Sequence, residues 1–263
     1  MSSWSPDLLA GQVAVITGGA SGLGRATALR LADAGAAGVV IADLENTPRE
    51  GGEDTVSLLS QRGVAAEFVS CDVRSAADVG RVIDAAEDLG GVSIAVPAAG
   101  VLRMENVLDV PEDDYAQMMD VNVKGTFLTA QAAARSMVDG VRGGAIVTIS
   151  SVGGVLGSAS MPTYNMSKGA VRMMTYSLAA SLGPRGIRVN AVHPGVIETA
   201  MTTRDTDLAG EDASALPLRR MGTPGDVADA IVYLASPLAS YVTGTSLFVD
   251  GGSHSTKPGR DFG

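Results

Sequence analysis

The 263-residue chain reads as an α/β protein, a doubly wound parallel sheet with helices on both faces, in a single domain spanning residues 1–263. Three observations predict this. Short β-branched runs alternate with longer Ala/Leu-rich stretches of helical period. The runs are mainly apolar, as strands covered by helices on each side are. The first of them closes on a glycine cluster, Gly18, Gly19, Gly22 and Gly24, that turns directly into a helix. Such folds often run past roughly 200 residues as one unit, and no composition break or internal repeat divides the chain.

A strand over 13–17 precedes a helix over 23–34, whose apolar residues Leu23, Ala26, Leu29, Leu31 and Ala32 fall mostly on one stripe. Gly35 ends it, because glycine tolerates the positive φ of a helix C-terminus. The second strand covers 38–42, and a helix comes next at 55–61. The third strand, 65–70, leads to a helix capped by Ser75, three residues before Asp78. The fourth strand covers 92–96. A long helix is expected over 112–138, opened by Pro111 at its first position, where a missing N–H is harmless. Strands at 145–150, 187–192 and 246–249 alternate with helices at 162–182 and 226–235. Two segments lack a period: 199–221, polar and expected to be a mobile lid, and 253–263, a tail rich in Gly, Pro and charge.

Composition excludes several classes. Asp plus Glu number 29 against 19 Lys plus Arg, a formal charge of −10. Such a surface repels phosphate backbones and anionic lipid, so neither nucleic acid nor membrane is an expected partner. One cysteine, Cys71, and two scattered histidines give neither a disulfide framework nor a metal site. No apolar run approaches the roughly 18 residues of a bilayer span. The first eleven residues lack the basic and apolar regions of a signal peptide, so a cytoplasmic location is expected.

The turn after the first strand reads Thr17-Gly18-Gly19-Ala20-Ser21-Gly22-Leu23-Gly24. Its glycines let the main chain approach a pyrophosphate at the helix N-terminus. A glycine cluster alone is weak evidence, but here the motif has its strand before and its amphipathic helix after. Asp43 ends the second strand, 19 residues after Gly24. There a carboxylate accepts hydrogen bonds from adenosine ribose hydroxyls and repels a 2′-phosphate, which favours NAD over NADP. Tyr164 and Lys168 lie at i and i+4 on one helix face. An ammonium so placed favours the phenolate and lowers a tyrosine pKa that is otherwise about 10, as a base accepting an alcohol proton near neutral pH requires. Ser151, 13 residues before Tyr164, stands at the C-terminal end of the fifth strand, the end where open α/β sheets bind ligands.

The spacing Gly-x-x-x-Gly-x-Gly after a threonine, with Ser151 and the run Tyr164-Asn165-Met166-Ser167-Lys168, resembles the short-chain dehydrogenase/reductase family from Gly11 to Gly252. The resemblance implies a Rossmann-like fold and an NAD-dependent oxidoreductase that interconverts a secondary alcohol and a ketone. It implies a catalytic tetrad of Asn122, Ser151, Tyr164 and Lys168. Tyr164 would be the general acid/base, and Ser151 would position and polarise the substrate oxygen. Lys168 would lower the Tyr164 pKa and hold the nicotinamide ribose, while the Asn122 amide would order a water of the proton relay. Cofactor contacts are implied at Gly18, Ser21, Gly22, Leu23 and Gly24, and at Asp43 and Leu44. Others are implied at Asp72 and Val73 near the adenine, at Ala98, Ala99 and Gly100 along the ribose, and at Tyr164, Lys168, Pro194, Gly195, Ile197 and Thr199 around the nicotinamide. Ser21 and Leu44 stand where NADP-using relatives often carry a basic residue.

One departure is Pro97-Ala98-Ala99-Gly100, where the family usually has Asn-Asn-Ala-Gly. Two amide side chains are absent and Pro97 has no N–H, so sheet-bridging hydrogen bonds must be replaced or lost. His193 is expected to support the cofactor loop rather than to act as an acid or base, since nothing nearby in sequence supplies an orienting carboxylate. Gly153, Val155, Leu156, Met161 and Met201 are the expected pocket lining, small or apolar, suited to a small hydrophobic alcohol or ketone. A 3-oxoacyl thioester reductase is the rival enzyme reading, with Arg204, Arg219 and Arg220 as its cations; a non-catalytic nucleotide sensor is the rival of another class. The two long helices carry Met118, Met119, Met137, Met173, Met174 and Leu178 beyond what one sheet face needs, so a homotetramer packed through them is expected.

Overall fold

The computed structural model describes residues 4–203, 214 and 216–255. Seven parallel strands form one sheet in the order β3-β2-β1-β4-β5-β6-β7. They are β1 (Val13–Thr17), β2 (Gly38–Asp43), β3 (Ala65–Ser70), β4 (Ile94–Pro97), β5 (Gly144–Ile149), β6 (Ile187–Pro194) and β7 (Ser246–Val249). The helices are α1 (Gly22–Asp33), α2 (Thr55–Gln61), α3 (Ala76–Asp88), α4 (Glu112–Met119), α5 (Thr126–Asp139), α6 (Pro162–Leu182), α7 (Ala200–Thr203) and α8 (Pro224–Ala235). Strand order reverses between β1 and β4, and the crevice above that switch point is where such sheets take ligands.

Alternation along each strand feeds two cores. Ala14 and Ile16 of β1 pack into one cluster with Leu31 of α1 and Val227 and Ile231 of α8. Val13 and Val15 face the other way, into a cluster with Val79 and Val82 of α3, Ala130, Ala133 and Met137 of α5 and Ala179 of α6. These side chains are buried to within a few per cent, so the sheet is covered on both faces as a parallel sheet must be.

The fold departs from the pattern-based expectation in informative places. The helix expected over 112–138 is α4 and α5 joined by a π-helical segment, Asp120–Gly125. A π turn inserts one extra residue and re-aims the side chains around it; here it carries the fully buried Asn122. Pro111 is the N-cap of α4, with extended ψ of 146°, rather than its first helical residue. The helix expected from 226 starts at Pro224, because Thr223 and Asp226 form a capping box. β2 and β6 each run further than expected, carrying Asp43 and His193 into the strands themselves.

Pro97 has the effect its missing N–H foretells. On the β1 side the ladder runs to the pair Thr17 and Pro97, and Ala98 N and Ala99 N donate to Thr17 O (3.1 Å) and Thr17 Oγ1 (3.3 Å). On the β5 side pairing stops at Ala95. The chain leaving β4 is thus tied by main-chain donors toward β1, while its pairing with β5 ends two residues before Pro97.

Of the segment expected as a lid, residues 204–213 and 215 lie outside the described residues, while α7 and the turn at 216–221 are within them. Of the expected tail, 256–263 lie outside them, and Ser253 to Ser255 form a turn tied to Asp250. Among the described residues no helix is long and apolar enough to cross a membrane.

Candidate active site

The site builds from the C-terminal ends of the strands. The turn between β1 and α1 folds back on itself: a Cβ on Gly24 would lie 2.2 Å from Gly18 O. Gly18, at φ +66°, faces the chain leaving β4, where a Cβ would lie 2.8 Å from Ala99 Cα. Both positions need glycine, and together they bring the Gly18–Gly24 loop and the Ala98–Gly100 segment side by side. Thr199 is close on the third side, since a Cβ on Gly22 would lie 3.8 Å from Thr199 Cγ2. A cavity of about 400 Å³ opens there, lined by Gly22, Arg25, Glu50, Glu198 and Thr199 among others.

Asp43 is held at the rim of this loop. Its Oδ2 accepts from Ala20 N at 3.1 Å and its Oδ1 from Leu44 N at 2.8 Å. Burial raises its pKa, with the two N–H bonds pulling it back down. Leu44 points outward, 64% exposed. Sequence reasoning missed two contacts between the segment after β2 and the glycine loop. Arg49 N donates to Ser21 Oγ at 2.8 Å, and Gly22 N donates to Glu50 Oε1 at 3.1 Å. The Glu50 carboxylate also stands 3.8 Å from Arg25 Nε. It therefore sits on the positive N-terminus of α1. No spacing rule in the polar stretch 45–53 signals this contact.

Two residues expected at the adenine behave differently from one another. Asp72 is exposed in part, but Arg74 grips its carboxylate through Nε (2.9 Å) and Nη2 (2.6 Å) and lowers its pKa. Val73 is buried against the π-helical segment, where a Cβ on Gly125 would lie 2.6 Å from Val73 Cγ2.

The reacting end gathers at the end of β5. Ser151 is extended there, at φ −169°, and caps a short 3₁₀ turn with Oγ accepting from Gly153 N at 3.1 Å. Its hydroxyl acts on the Tyr164 phenol, whose pKa it pulls down. Lys168 Nζ lies 5.6 Å from the Tyr164 ring centre and donates to Ile149 O at 2.9 Å. Gly100 faces the same point, since a Cβ there would lie 3.8 Å from Lys168 Nζ. Gly153 borders Ser151 and Tyr164, where a Cβ would lie 3.5 Å from Ser151 Oγ and from Tyr164 Cε1. Val155 and Leu156 come next on the same turn, and Met161 caps α6. Met201, in α7, is partly buried.

Protonation departs from the sequence expectation. Burial raises the Tyr164 pKa, and the Ser151 hydroxyl is the group that pulls it down. Burial also lowers Lys168 to about 8. Burial is what disfavours the ammonium, even with Nζ donating to Ile149 O, and the phenol's pKa is raised rather than lowered as the i, i+4 spacing suggested.

The Asn122 amide, expected to order a water, is held by protein groups. Its Oδ1 accepts from Val101 N (2.8 Å), and Nδ2 donates to Val101 O (3.0 Å) and Ser167 Oγ (3.0 Å). Ser167 Oγ in turn donates to Tyr164 O at 2.7 Å. The amide's two hydrogens are thus engaged by protein, clamping the chain after β4 to the first turns of α6. Glu105 reinforces this by accepting from Thr163 Oγ1, a contact the sequence did not signal.

The loop after β6 closes the site. Gly195 packs on Asp250, where a Cβ would lie 2.9 Å from Asp250 Cα, and Gly195 N donates to Val249 O at 3.1 Å. Ile197 is buried and its carbonyl accepts from Thr202 Oγ1 at 2.6 Å. Thr199 N donates to the same hydroxyl at 3.0 Å.

Comparison with known proteins agrees with this geometry. The family model described as enoyl-(acyl carrier protein) reductase matches residues 18–254. L-rhamnose 1-dehydrogenase (NAD(P)(+)) of Azotobacter vinelandii is 37% identical over 249 residues, covering 93% of this chain and 97% of that one. The (3R)-3-hydroxyacyl-CoA dehydrogenase of Rattus norvegicus is 38% identical over 251 residues (91% and 95%), and the 3-alpha-(or 20-beta)-hydroxysteroid dehydrogenase of Mycobacterium tuberculosis 36% over 256 (97% and 94%). A crystal structure of a short-chain type dehydrogenase/reductase from Mycobacterium marinum superposes with a TM-score of 0.89 at 37% identity, covering 96% of this chain and all of that one. The chain belongs to the short-chain dehydrogenase/reductase family. It is an oxidoreductase of that family, whose dehydrogenases use NAD or NADP.

Proposed function

We propose that the chain, as one catalytic domain, interconverts a secondary alcohol and a ketone with NAD(H). The observation that carries this reading is the convergence of Ser151, Tyr164 and Lys168 at the end of β5, beside the glycine loop. The loop fits a dinucleotide: Gly18 and Gly24 let the turn pack tightly on itself and on Ala99, where a Cβ would collide, Gly22 leaves room toward Thr199, and Asp43 stands at the strand end where ribose hydroxyls are bound. Ser21, Gly22, Leu23, Ala98, Ala99, Gly100, Lys168, Pro194, Gly195, Ile197 and Thr199 are the further residues that would hold it. The bound nicotinamide supplies the hydride chemistry. Asp43 supports NAD because its carboxylate disfavours a 2′-phosphate, and Leu44 offers that phosphate no cation.

Tyr164 gives its phenolic proton to the carbonyl oxygen in reduction and takes it back in oxidation. Ser151 donates a hydrogen bond to the same oxygen and polarises it. Lys168, cationic below about pH 8, would hold the nicotinamide ribose. Asn122 holds the chain after β4 and α6 in register. Gly153, Val155, Leu156, Met161 and Met201 shape a hydrophobic pocket for a small alcohol or ketone. The thioester reading loses one of its cations, because Arg220 is paired to Asp226 through two contacts of 2.8 and 2.9 Å; Arg204 lies outside the described residues. Nothing in the geometry of the four tetrad residues favours a non-catalytic sensor.

Assembly through α5 and α6 into a homotetramer is part of the same proposal, with a corrected set of residues. Met118 and Met137 are core side chains, 1% and 0% exposed. The apolar surface is instead a groove of about 320 Å³ lined by Phe127, Ala134, Val138, Leu178 and Leu182 with Arg135 and Arg185, and Met173 is 62% exposed.

The test is NADH oxidation against a panel of small ketones and a 3-oxoacyl-CoA, with NADPH in parallel. Turnover of ketones with NADH supports the reading; turnover confined to the thioester selects the rival enzyme, and binding of NADH without any turnover selects the sensor.

A further inference from the structure

β6 lies beside β5, so the residue near its end faces the point where β5 hands over to Ser151. That residue is His193, which is fully buried. Its Nδ1 lies 2.9 Å from Ser151 O. A carbonyl oxygen only accepts, so Nδ1 carries the proton and Nε2 keeps its lone pair. Nε2 is buried and has no hydrogen-bond partner among the described residues. Protonating it would leave a buried, charged N–H unsatisfied, at the full desolvation penalty of that group. Burial lowers the ring's pKa, and the Arg172 and Lys168 cations lower it further against the raising effect of the Ser151 carbonyl. The ring is therefore a fixed neutral donor, unsuited to relaying protons.

What holds the ring is equally specific. Phe248 of β7 packs on it with centroids 4.7 Å apart at 30°. His254 stacks on Phe248 in turn, with its centroid 3.5 Å from the Phe248 centroid at 9°. His254 is itself fixed by Asp250, whose Oδ2 is 2.8 Å from both His254 N and His254 Nδ1. Ser151 O also accepts from Gly154 N at 2.9 Å, and the Ser151 hydroxyl borders the Tyr164 ring, both lying 3.5 Å from where a Cβ on Gly153 would stand. A displacement of the Ser151 main chain would move that hydroxyl directly.

We propose that His193 is a positioning residue for the reaction: its imidazole pins the Ser151 carbonyl and, backed by Phe248, His254 and Asp250, sets where the Ser151 hydroxyl points. This rests on the role given to Ser151 above. A misplacement of about 1 Å near a reacting group lowers turnover by about 10²-fold.

Steady-state kinetics and NADH binding of five variants test it. His193→Phe keeps a ring but loses the donor, and kcat falls 10- to 100-fold with the NADH Kd within twofold of wild type. His193→Asn places an amide N–H near Nδ1 and restores most of that loss. In a Ser151→Ala background His193→Phe causes little further loss, because its effect travels through Ser151; a merely structural histidine would give additive losses. Phe248→Leu keeps the histidine and reads the backing alone, with a fall in kcat of about 3- to 10-fold. Unchanged kcat in His193→Phe, or full additivity with Ser151→Ala, overturns the proposal. An Asn variant as impaired as Phe overturns it too, assigning the ring a proton-transfer role. Tyr164→Phe is measured in parallel: full turnover there would sink the proposed reaction itself, separately from the part played by His193.

Discussion

Lys168 Nζ donates to Ile149 O at 2.9 Å, which anchors the side chain of α6 to the last residue of β5. The lysine is 7% exposed, and its pKa is lowered to about 8 from an ordinary 10.5. Between those values the unfolded chain binds a proton that the folded chain does not, so stability rises with pH across that window. The penalty of burying the ammonium is fully present below pH 8 and vanishes above 10.5, and its size is about 3 kcal/mol. Lys168→Met removes it. The variant's stability relative to wild type is therefore greatest at pH 7 and declines by about 1–2 kcal/mol toward pH 9.5. Urea unfolding of the cofactor-free protein at the two pH values checks this; a pH-independent difference would contradict it.

Tyr164→Phe keeps the ring and removes the transferable proton. Turnover falls by about 10²–10⁴-fold, the usual loss of general acid–base catalysis, while NADH affinity by fluorescence titration changes little. Burial raises the phenol's pKa in the protein, so in wild type alcohol oxidation climbs with pH up to the alkaline limit of stability and ketone reduction does not. Near-normal ketone reduction by the variant would mean that the proton comes from elsewhere.

Much of this site was legible because local rules and tertiary demands agree. The bounds 55–61, 65–70, 162–182 and 246–249 come from pattern alone and match α2, β3, α6 and β7. Ser75 caps α3 through Asp78 N, as its spacing foretold. What pattern could not supply were contacts between segments distant in sequence. The π segment carries Asn122, whose amide bonds Val101 and Ser167, 21 and 45 residues away. The seat of Glu50 on Gly22 N joins residues 28 apart with no motif between them. Protonation was misread for the same reason: the i, i+4 spacing sets the distance of Lys168 from Tyr164, but only the packed site shows that both are desolvated.

The groove between α5 and α6 makes the assembly testable. Phe127 is 39% exposed beside partly buried Leu178 and Leu182, and such apolar patches rimmed by charge mark association sites. Wild type is expected to be a tetramer by light scattering at micromolar concentration. Phe127→Glu with Leu178→Glu places carboxylates in the groove and yields smaller species with retained far-ultraviolet circular dichroism. A wild-type monomer would contradict the assignment.

Cofactor preference is expected to turn on charge around the glycine loop. Asp43 is fixed by Ala20 N and Leu44 N, so its carboxylate cannot swing aside for a 2′-phosphate. Wild type should therefore favour NAD over NADP in kcat/KM. Asp43→Ser with Leu44→Arg removes the repulsion and adds an attractive cation, the two halves that a specificity switch needs, and should move the ratio toward NADP. Glu50 supplies a further step. Its carboxylate lies on Gly22 N and 3.8 Å from Arg25 Nε, so it neutralises the cation in the first turn of α1. Glu50→Gln in the switched background should free that charge and raise the NADP-to-NAD ratio by about tenfold more, equivalent to ~1.4 kcal/mol. The measurement is kcat/KM for both cofactors with one ketone across wild type, the double variant and the triple variant. Equal use of NADP by wild type would refute the role of Asp43. A triple variant no different from the double would show that the Glu50 charge lies outside the field of the cofactor's ribose.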